Sequence, residues 1–260
     1  MLSSPVVPSA SRNLNLLHQL VRRDFAARFT GSALGLGWAV LQPLTLVVLY
    51  WFVFTFMIPQ GPGAWDYGYV LFLISGLIPW IGFNEGLMRS MTSIIDNSSI
   101  VKRLAFRSEL LVVVPNVSAL LFELIGLALF LIFLAVTKGL SPMLWVLPFA
   151  IVLQFAIQTG AGWFLAALFV FFRDLAQILG FILSVIFYLS PILYPVSHRF
   201  ATFFNWNPLT PLLGLFRSAM TGAALPPAAS IVFLVIIAAL FFTGGLAFFR
   251  RAQVTLADLL

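Results

Sequence analysis

Hydrophobic and polar positions sort this chain into one short amphipathic segment followed by long apolar runs. Between Asn13 and Phe29, at about 100° per residue, Leu14, Leu17, Leu20, Val21, Phe25 and Phe29 share one helical face. Arg12, Asn15, Gln19, Arg22 and Arg23 take the opposite one. Such a helix can lie at a membrane surface, with apolar side chains in the acyl boundary and arginines among headgroups. Asp24 and Arg28 fall within the apolar arc, four apart with the acid first. They can pair along the helix, or make a polar contact to a partner or a neighbouring span. After a junction holding Gly31, Gly35 and Gly37, no charge occurs from Leu34 to Ile58. As a helix that run is about 37 Å long, enough for a hydrocarbon core of about 30 Å. Pro43 inside it predicts a packing kink.

The same pattern predicts further spans at about 67–95, 110–136, 142–172, 175–193 and 229–249, six in all. Short polar segments separate them, and a long segment with prolines at 195, 208, 211, 226 and 227 precedes the last. No solenoid repeat and no pair of similar halves is visible. Six spans are few for a solute path, which predicts a dimer with the pathway on its two-fold axis.

Composition agrees: 62% of residues are apolar and 8% charged, against about a quarter charged in soluble domains. The fold class is therefore an all-α polytopic membrane protein. No cleavable signal pattern is present in MLSSPVVPSA. With the N-terminus inside, eleven lysines and arginines fall on the inner side and only Lys138, Arg199 and Arg217 outside. This bias puts both termini in the cytoplasm. The net charge of +6 then reflects loops near membrane lipids, not a nucleic-acid surface.

Few residues suggest chemistry. There are no cysteines, so no thiolate nucleophile or metal site. No phosphate-binding G-x-x-x-x-G-K-[ST] loop and no H-E-x-x-H occurs. His18 and His198 fall on opposite sides. No catalytic residue, metal ligand or resident cofactor is expected, and any use of ATP requires another chain. The stretch 96–109, DNSSIVKRLAFRSE, predicts a short helix capped by Asn97 or Ser98. Ile100, Val101, Leu104 and Phe106 would form its apolar side, and Lys102, Arg103 and Arg107 its basic side: a partner-docking element or a positive-inside anchor. Glu85 and Arg89 form a favourable i,i+4 pair. Glu123 lies mid-span, where an ionisable group costs about 2.5–3.5 kcal/mol. It reads as a protonated or hydrogen-bonded structural residue, with Gln154 and Gln158 as partners. Lining a polar channel or coupling protons are the alternatives. Tyr50, Trp51, Phe72, Trp80, Phe83, Phe181, Tyr188 and Tyr194 are belt or packing residues, or flat surfaces that could stack on sugar rings. In the second span Phe72, Gly76, Trp80, Phe83 and Leu87 share a stripe. Phe181 and Tyr188 are seven apart, as are Phe187 and Tyr194. Gly31/Gly35, Ala156/Gly160 and Gly162/Ala166 would permit close helix crossings.

The stretch RDFAARFTGSALGLGWAVLQPL resembles the opening of permease subunits of type-2 ATP-binding cassette exporters for polysaccharides. Arg23, Asp24, Arg28, Ser32, Leu34, Gly35, Trp38, Gln42 and Pro43 carry the match. SGLIPW (75–80), NSSIVKRLAF (97–106), FFRDL (171–175), LSPILYP (189–195) and NPLTPLLGLFR (207–217) follow in the same order. Arg107 departs from the pattern, where many members have proline. The resemblance spans about residues 12–251. It implies an N-terminal cytoplasmic segment with an interface helix over 1–30, a six-span domain over 31–251 and a C-terminal tail over 252–260. Residues 97–106 become a coupling helix, and 196–227 an outer gate of short re-entrant helices. Arg23, Asp24, Arg28, Ile100, Val101, Lys102, Arg103, Leu104 and Phe106 become the contacts to an ATPase. The implied assembly is a homodimer in a bacterial inner membrane, with two ATPase copies that hold ATP and Mg. Its substrate would be a lipid-linked polysaccharide such as O antigen. An exporter of a lipid or small molecule, or a proton-coupled carrier using Glu123, are the alternatives.

Overall fold

The computed structural model describes residues 10–28, 31–53, 56, 67–98, 108–195, 204 and 206–259. Among these the chain forms eight α-helices and no strand. They are α1 (Ala10–Ala27), α2 (Trp38–Phe52), α3 (Tyr67–Asp96), α4 (Glu109–Thr137), α5 (Leu147–Phe171), α6 (Leu175–Tyr188), α7 (Leu209–Thr221) and α8 (Ala228–Leu259). Segments 68–96, 109–137, 144–171 and 228–253 are long and apolar enough to cross a membrane, making this a multi-pass membrane protein. α2 and α6 have 15 and 14 residues, about 22 Å each. The remainder of the expected first span, beyond Phe52, lies largely outside the described residues.

α3 is the central helix and the most enclosed of the four long ones; α8 is the most outward-facing. The core runs along α3 through Ile74, Leu77, Met91 and their neighbours on α4, α5 and α7, with Phe130, Leu212 and Phe216 fully buried. α5 and α8 make the broadest packing, followed by α3 and α4. At Gly160 a Cβ would fall on the backbone of Phe241 and Phe242, and at Gly245 on the carbonyl of Gly160. Two backbones therefore meet with nothing between them, as small residues allow in membranes. Gly31 and Gly35 serve a different end. Their φ angles are 82° and 50° and a Cβ on either would touch nothing. They set the left-handed turns entering the 3-10 segment Gly35–Gly37, not a close crossing.

Two boundaries and one packing face differ from the sequence expectation. α6 ends at Tyr188, not near Leu193; Pro191 has no N–H for the backbone ladder and disfavours a helical conformation at the residue before it. Phe187 and Tyr194 consequently do not share a helix. α8 continues beyond Arg250–Arg251 to Leu259, so the expected tail 252–260 is helical through that residue; AQVTLAD contains no glycine or proline to stop it. Finally, the apolar face of α1 packs on protein as well as facing outward. Val21 is buried, Leu20 packs against the cluster that holds Leu111 and Val112 of α4, and Phe25 against the cluster of Ala39 and Phe122.

Candidate functional site

The amphipathic periodicity of α1 leaves Asn15, Gln19, Arg22 and Arg23 exposed and aims Asp24 and Arg28 at α3. Arg89 of α3 donates from Nη2 to both carboxylate oxygens of Asp24, at 2.7 and 2.8 Å. Arg28 donates to Glu85 Oε1, which also accepts from Arg89 Nη1 at 3.4 Å. Four charges, from α1 and the turn residue that follows it and from α3, thus form one alternating lattice. The sequence pairs, Asp24 with Arg28 and Glu85 with Arg89, are both four apart. The short bonds run between helices instead, and the contact to a neighbouring span is the one formed. The Arg28 guanidinium also lies 4.0 Å from the centroid of the Phe122 ring, a cation–π contact to α4. All four charged side chains are half-buried, so the lattice exceeds an exposed surface pair in strength.

A cavity of about 300 Å³ opens beside this lattice. Arg23, Asp24, Arg89, Ser93, Asp96 and Asn97 provide its polar lining. Asn97 donates its side-chain amide to the Ser93 carbonyl at 2.9 Å and closes the end of α3. Ile100, Val101, Lys102, Arg103, Leu104 and Phe106, the expected coupling residues, lie outside the described residues. At the start of α4, Glu109 is anchored twice: Arg250 Nε donates to Oε1 at 3.1 Å, and Trp163 Nε1–H to its backbone carbonyl at 2.9 Å. The sequence reading missed this clasp of α4 by α5 and α8, because its partners are 54 and 141 positions away.

Deeper in the bundle, Gln154 donates its amide to Glu123 Oε2 at 2.6 Å and to the Pro79 carbonyl at 3.3 Å. Gln158, the other expected partner of Glu123, instead donates to the Gly82 carbonyl at 3.4 Å. Gly82 makes the approach possible, since a Cβ there would collide with the Glu123 side chain. The adjoining cavity is about 30 Å³, bounded by Gln42, Pro43, Gly82 and Glu123, space for one or two waters.

The aromatic candidates divide. Trp80 and Phe83 are buried, 6.1 Å apart, and Trp80 also packs on Phe187 at 5.6 Å. Phe72 is half-buried beneath a guanidinium, that of Arg217. These three pack within the chain, although Phe83 also borders an apolar cavity of about 480 Å³ with Leu183, Trp206 and Phe241. Phe181 and Tyr188 face outward from α6, at 71% and 61% exposure. Tyr194 donates its hydroxyl to the Tyr188 carbonyl and sets its ring against Phe204. Tyr50 and Trp51 belong to α2. Arg217, read as an outer-loop charge, is instead a buried residue of α7 at 8% exposure. Nothing in its local sequence separated it from an ordinary loop arginine.

The family model described as ABC-2 type transporter matches residues 15–221. An O-antigen export system permease protein, RfbA, of Klebsiella pneumoniae is 28% identical over 259 residues, covering 95% of each chain. The RfbA of Myxococcus xanthus is 30% identical over 184 residues, 70% of this chain and 69% of its own. The polysialic acid transport protein KpsM of Escherichia coli is 23% identical over 242 residues, covering 90% and 92%.

Proposed function

This chain belongs to the ABC-2 type transporter family, and on that premise we propose that it is the permease subunit of a polysaccharide exporter. Two copies would span a bacterial inner membrane six times each, with both termini in the cytoplasm. A separate ATPase, also in two copies, would hold ATP and Mg. The substrate would be a lipid-linked glycan of the O-antigen type, moved along a channel at the dimer axis. The observation that carries this reading is likeness to O-antigen export permeases over nearly the whole of both chains. The absence of any phosphate-binding loop in the sequence supports an external motor.

The ion lattice suggests how a push would be transmitted. ATP-driven closure of the ATPase would press on residues 97–106 and on α1. Asp24–Arg89 and Arg28–Glu85 bind α1 to α3, so α1 cannot slide without moving the central helix or breaking two charge-assisted contacts. α3 in turn packs on α4, α5 and α7, and its tilt would reach the opposite end of the bundle. Glu123 supports this reading more than the proton-carrier alternative. The bond from Gln154 to its Oε2 and a neighbouring cavity for one or two waters fit a structural anchor, although Oε1 is buried with no partner among the described residues.

Replacing Val101 and Leu104 together by Asp tests the reading. The permease should still insert in the membrane but lose co-purification with its ATPase, and cells depending on it should lose their surface glycan. Undiminished ATPase association would count against 97–106 as the coupling element. Surface glycan undiminished after deletion of the whole gene would remove the export function.

A further inference from the structure

At the Tyr67 end of α3, about 26 Å from the ion lattice at Arg89, Arg217 is buried without a counter-charge. Its Nε donates to the Phe72 carbonyl at 3.4 Å and Nη2 to the Pro191 carbonyl at 2.5 Å. The guanidinium carbon stands 3.6 Å from the Phe72 ring centroid. Room for it is made by Gly76, where a Cβ would meet Nη2 at 2.8 Å. None of these contacts supplies negative charge, and no carboxylate pairs with Arg217 among the described residues. A buried cation held only by carbonyl dipoles and a ring face still lacks the partner that usually offsets its desolvation.

The guanidinium borders a cavity of about 260 Å³. Nη1 makes no hydrogen bond among the described residues, and it is not one of the sealed polar atoms. The same cavity is lined by Thr210 and Ser230. Thr210 Oγ1 is fully buried with no partner among the described residues. Pro191, Pro195, Pro211 and Pro226 supply much of the remaining wall. Prolines bring no N–H donors and hold their backbone stiffly. A rigid apolar wall with one unneutralised cation and two hydroxyl-bearing residues in its lining is matched by an anionic oxygen ligand.

We propose that the cavity bounded by Arg217, Thr210 and Ser230 is a binding site for a single oxyanion, a phosphate or a carboxylate. The volume suits one such group with part of an attached ring, not a length of polymer. Two sources share this chemistry: the phosphate of a lipid headgroup and the carboxylate of an acidic sugar in the exported chain. The proposal rests on the permease reading only in assigning this end of α3 to the outer face.

The test uses the full-length permease with its ATPase in phosphatidylcholine nanodiscs, at constant ionic strength and without ATP. Inorganic phosphate, sodium glucuronate and uncharged glucose are titrated calorimetrically. At least one anion should bind saturably while glucose does not. Thr210→Val and Ser230→Ala should each weaken binding by about threefold or more, with the anion-free melting temperature unchanged. Arg217→Gln should weaken it by at least about tenfold and Arg217→Lys by less. If Arg217→Gln fails to fold, the two hydroxyl variants still decide the matter. Phosphate binding alone assigns the site to a lipid headgroup, glucuronate alone to an acidic sugar, and both to the shared chemistry. The proposal is overturned if neither anion binds. Equal binding of glucose, or indifference to both hydroxyl variants, overturns it as well. Absent anion binding with glycan export intact removes this site and leaves the permease reading standing. Intact anion binding with no ATPase association does the reverse.

Discussion

At the scale of single residues, the buried and half-buried charges define what the protein can do. Arg89 serves two carboxylates at once, so its loss strands both Asp24 and part of the Glu85 interaction. Arg89→Gln should therefore destabilise the folded permease by about 1–3 kcal/mol, read as a lower melting temperature in detergent. Asp24→Asn combined with Arg89→Gln should cost less than the two single changes summed, because the second removes an interaction already lost. Additive effects would mean that the lattice does not hold α1 to α3. Glu123 offers a contrast. Glu123→Gln keeps an acceptor for the Gln154 amide and should leave ATP-dependent glycan export within about twofold of wild type. Glu123→Leu removes that acceptor in a buried site and should lower stability by about 1–3 kcal/mol. Abolished export in the Gln variant, with normal membrane insertion, would restore a role in proton coupling.

At the scale of elements, the α5–α8 crossing is set by two glycines that face each other, and neighbouring glycines provide the control. Gly245→Val would drive a side chain into the carbonyl of Gly160 and should separate the helices at a cost of about 3 kcal/mol. A Cβ at Gly244 meets nothing within 4 Å, so Gly244→Ala should change stability by no more than about 0.5 kcal/mol. Similar melting temperatures for the two variants would contradict the close approach. This contrast is only partly legible in sequence. The spacing of Ala156 and Gly160 marks a small-residue face, but GG at 244–245 does not reveal which glycine faces inward. Likewise the run 175–193 reads as one apolar segment. The break before Ser190 follows from the steric demand of Pro191, which hydropathy ignores.

At the scale of the whole molecule, the outward apolar surfaces of α2 and α6 bear on assembly. Leu41, Leu44, Val48 and Phe52 of α2 and Ile178, Phe181, Ile182 and Val185 of α6 are exposed, in keeping with lipid or a second copy. The chain has no cysteine, which makes site-specific crosslinking clean. With Phe181→Cys as the only thiol, a short bis-maleimide should join two permeases in native membranes if α6 borders the dimer axis. Ile132→Cys on α4, equally outward-facing, should remain monomeric under the same treatment. The opposite outcome would move the dimer axis to another face. The aromatic candidates sort at this scale too. Trp80 is enclosed by packing within the chain and Phe83 is buried at the edge of a cavity, whereas Phe181 and Tyr188 face outward.

Hydropathy and periodicity are local properties, carried by neighbouring positions along the chain. They determined the membrane class, the approximate limits of three of the long helices and the start of the fourth, the amphipathic N-terminal helix and the presence of charges that demanded partners. Which partners those charges found is a property of helices brought together from distant positions. Only the tertiary structure joined Asp24 to Arg89, anchored Glu109 to Arg250, gave Gln154 rather than Gln158 to Glu123, and buried Arg217 beside a cavity. The reason is physical: a charge in a low-dielectric bundle takes the nearest opposite charge or dipole in space. In a polytopic helical protein that group usually belongs to another helix.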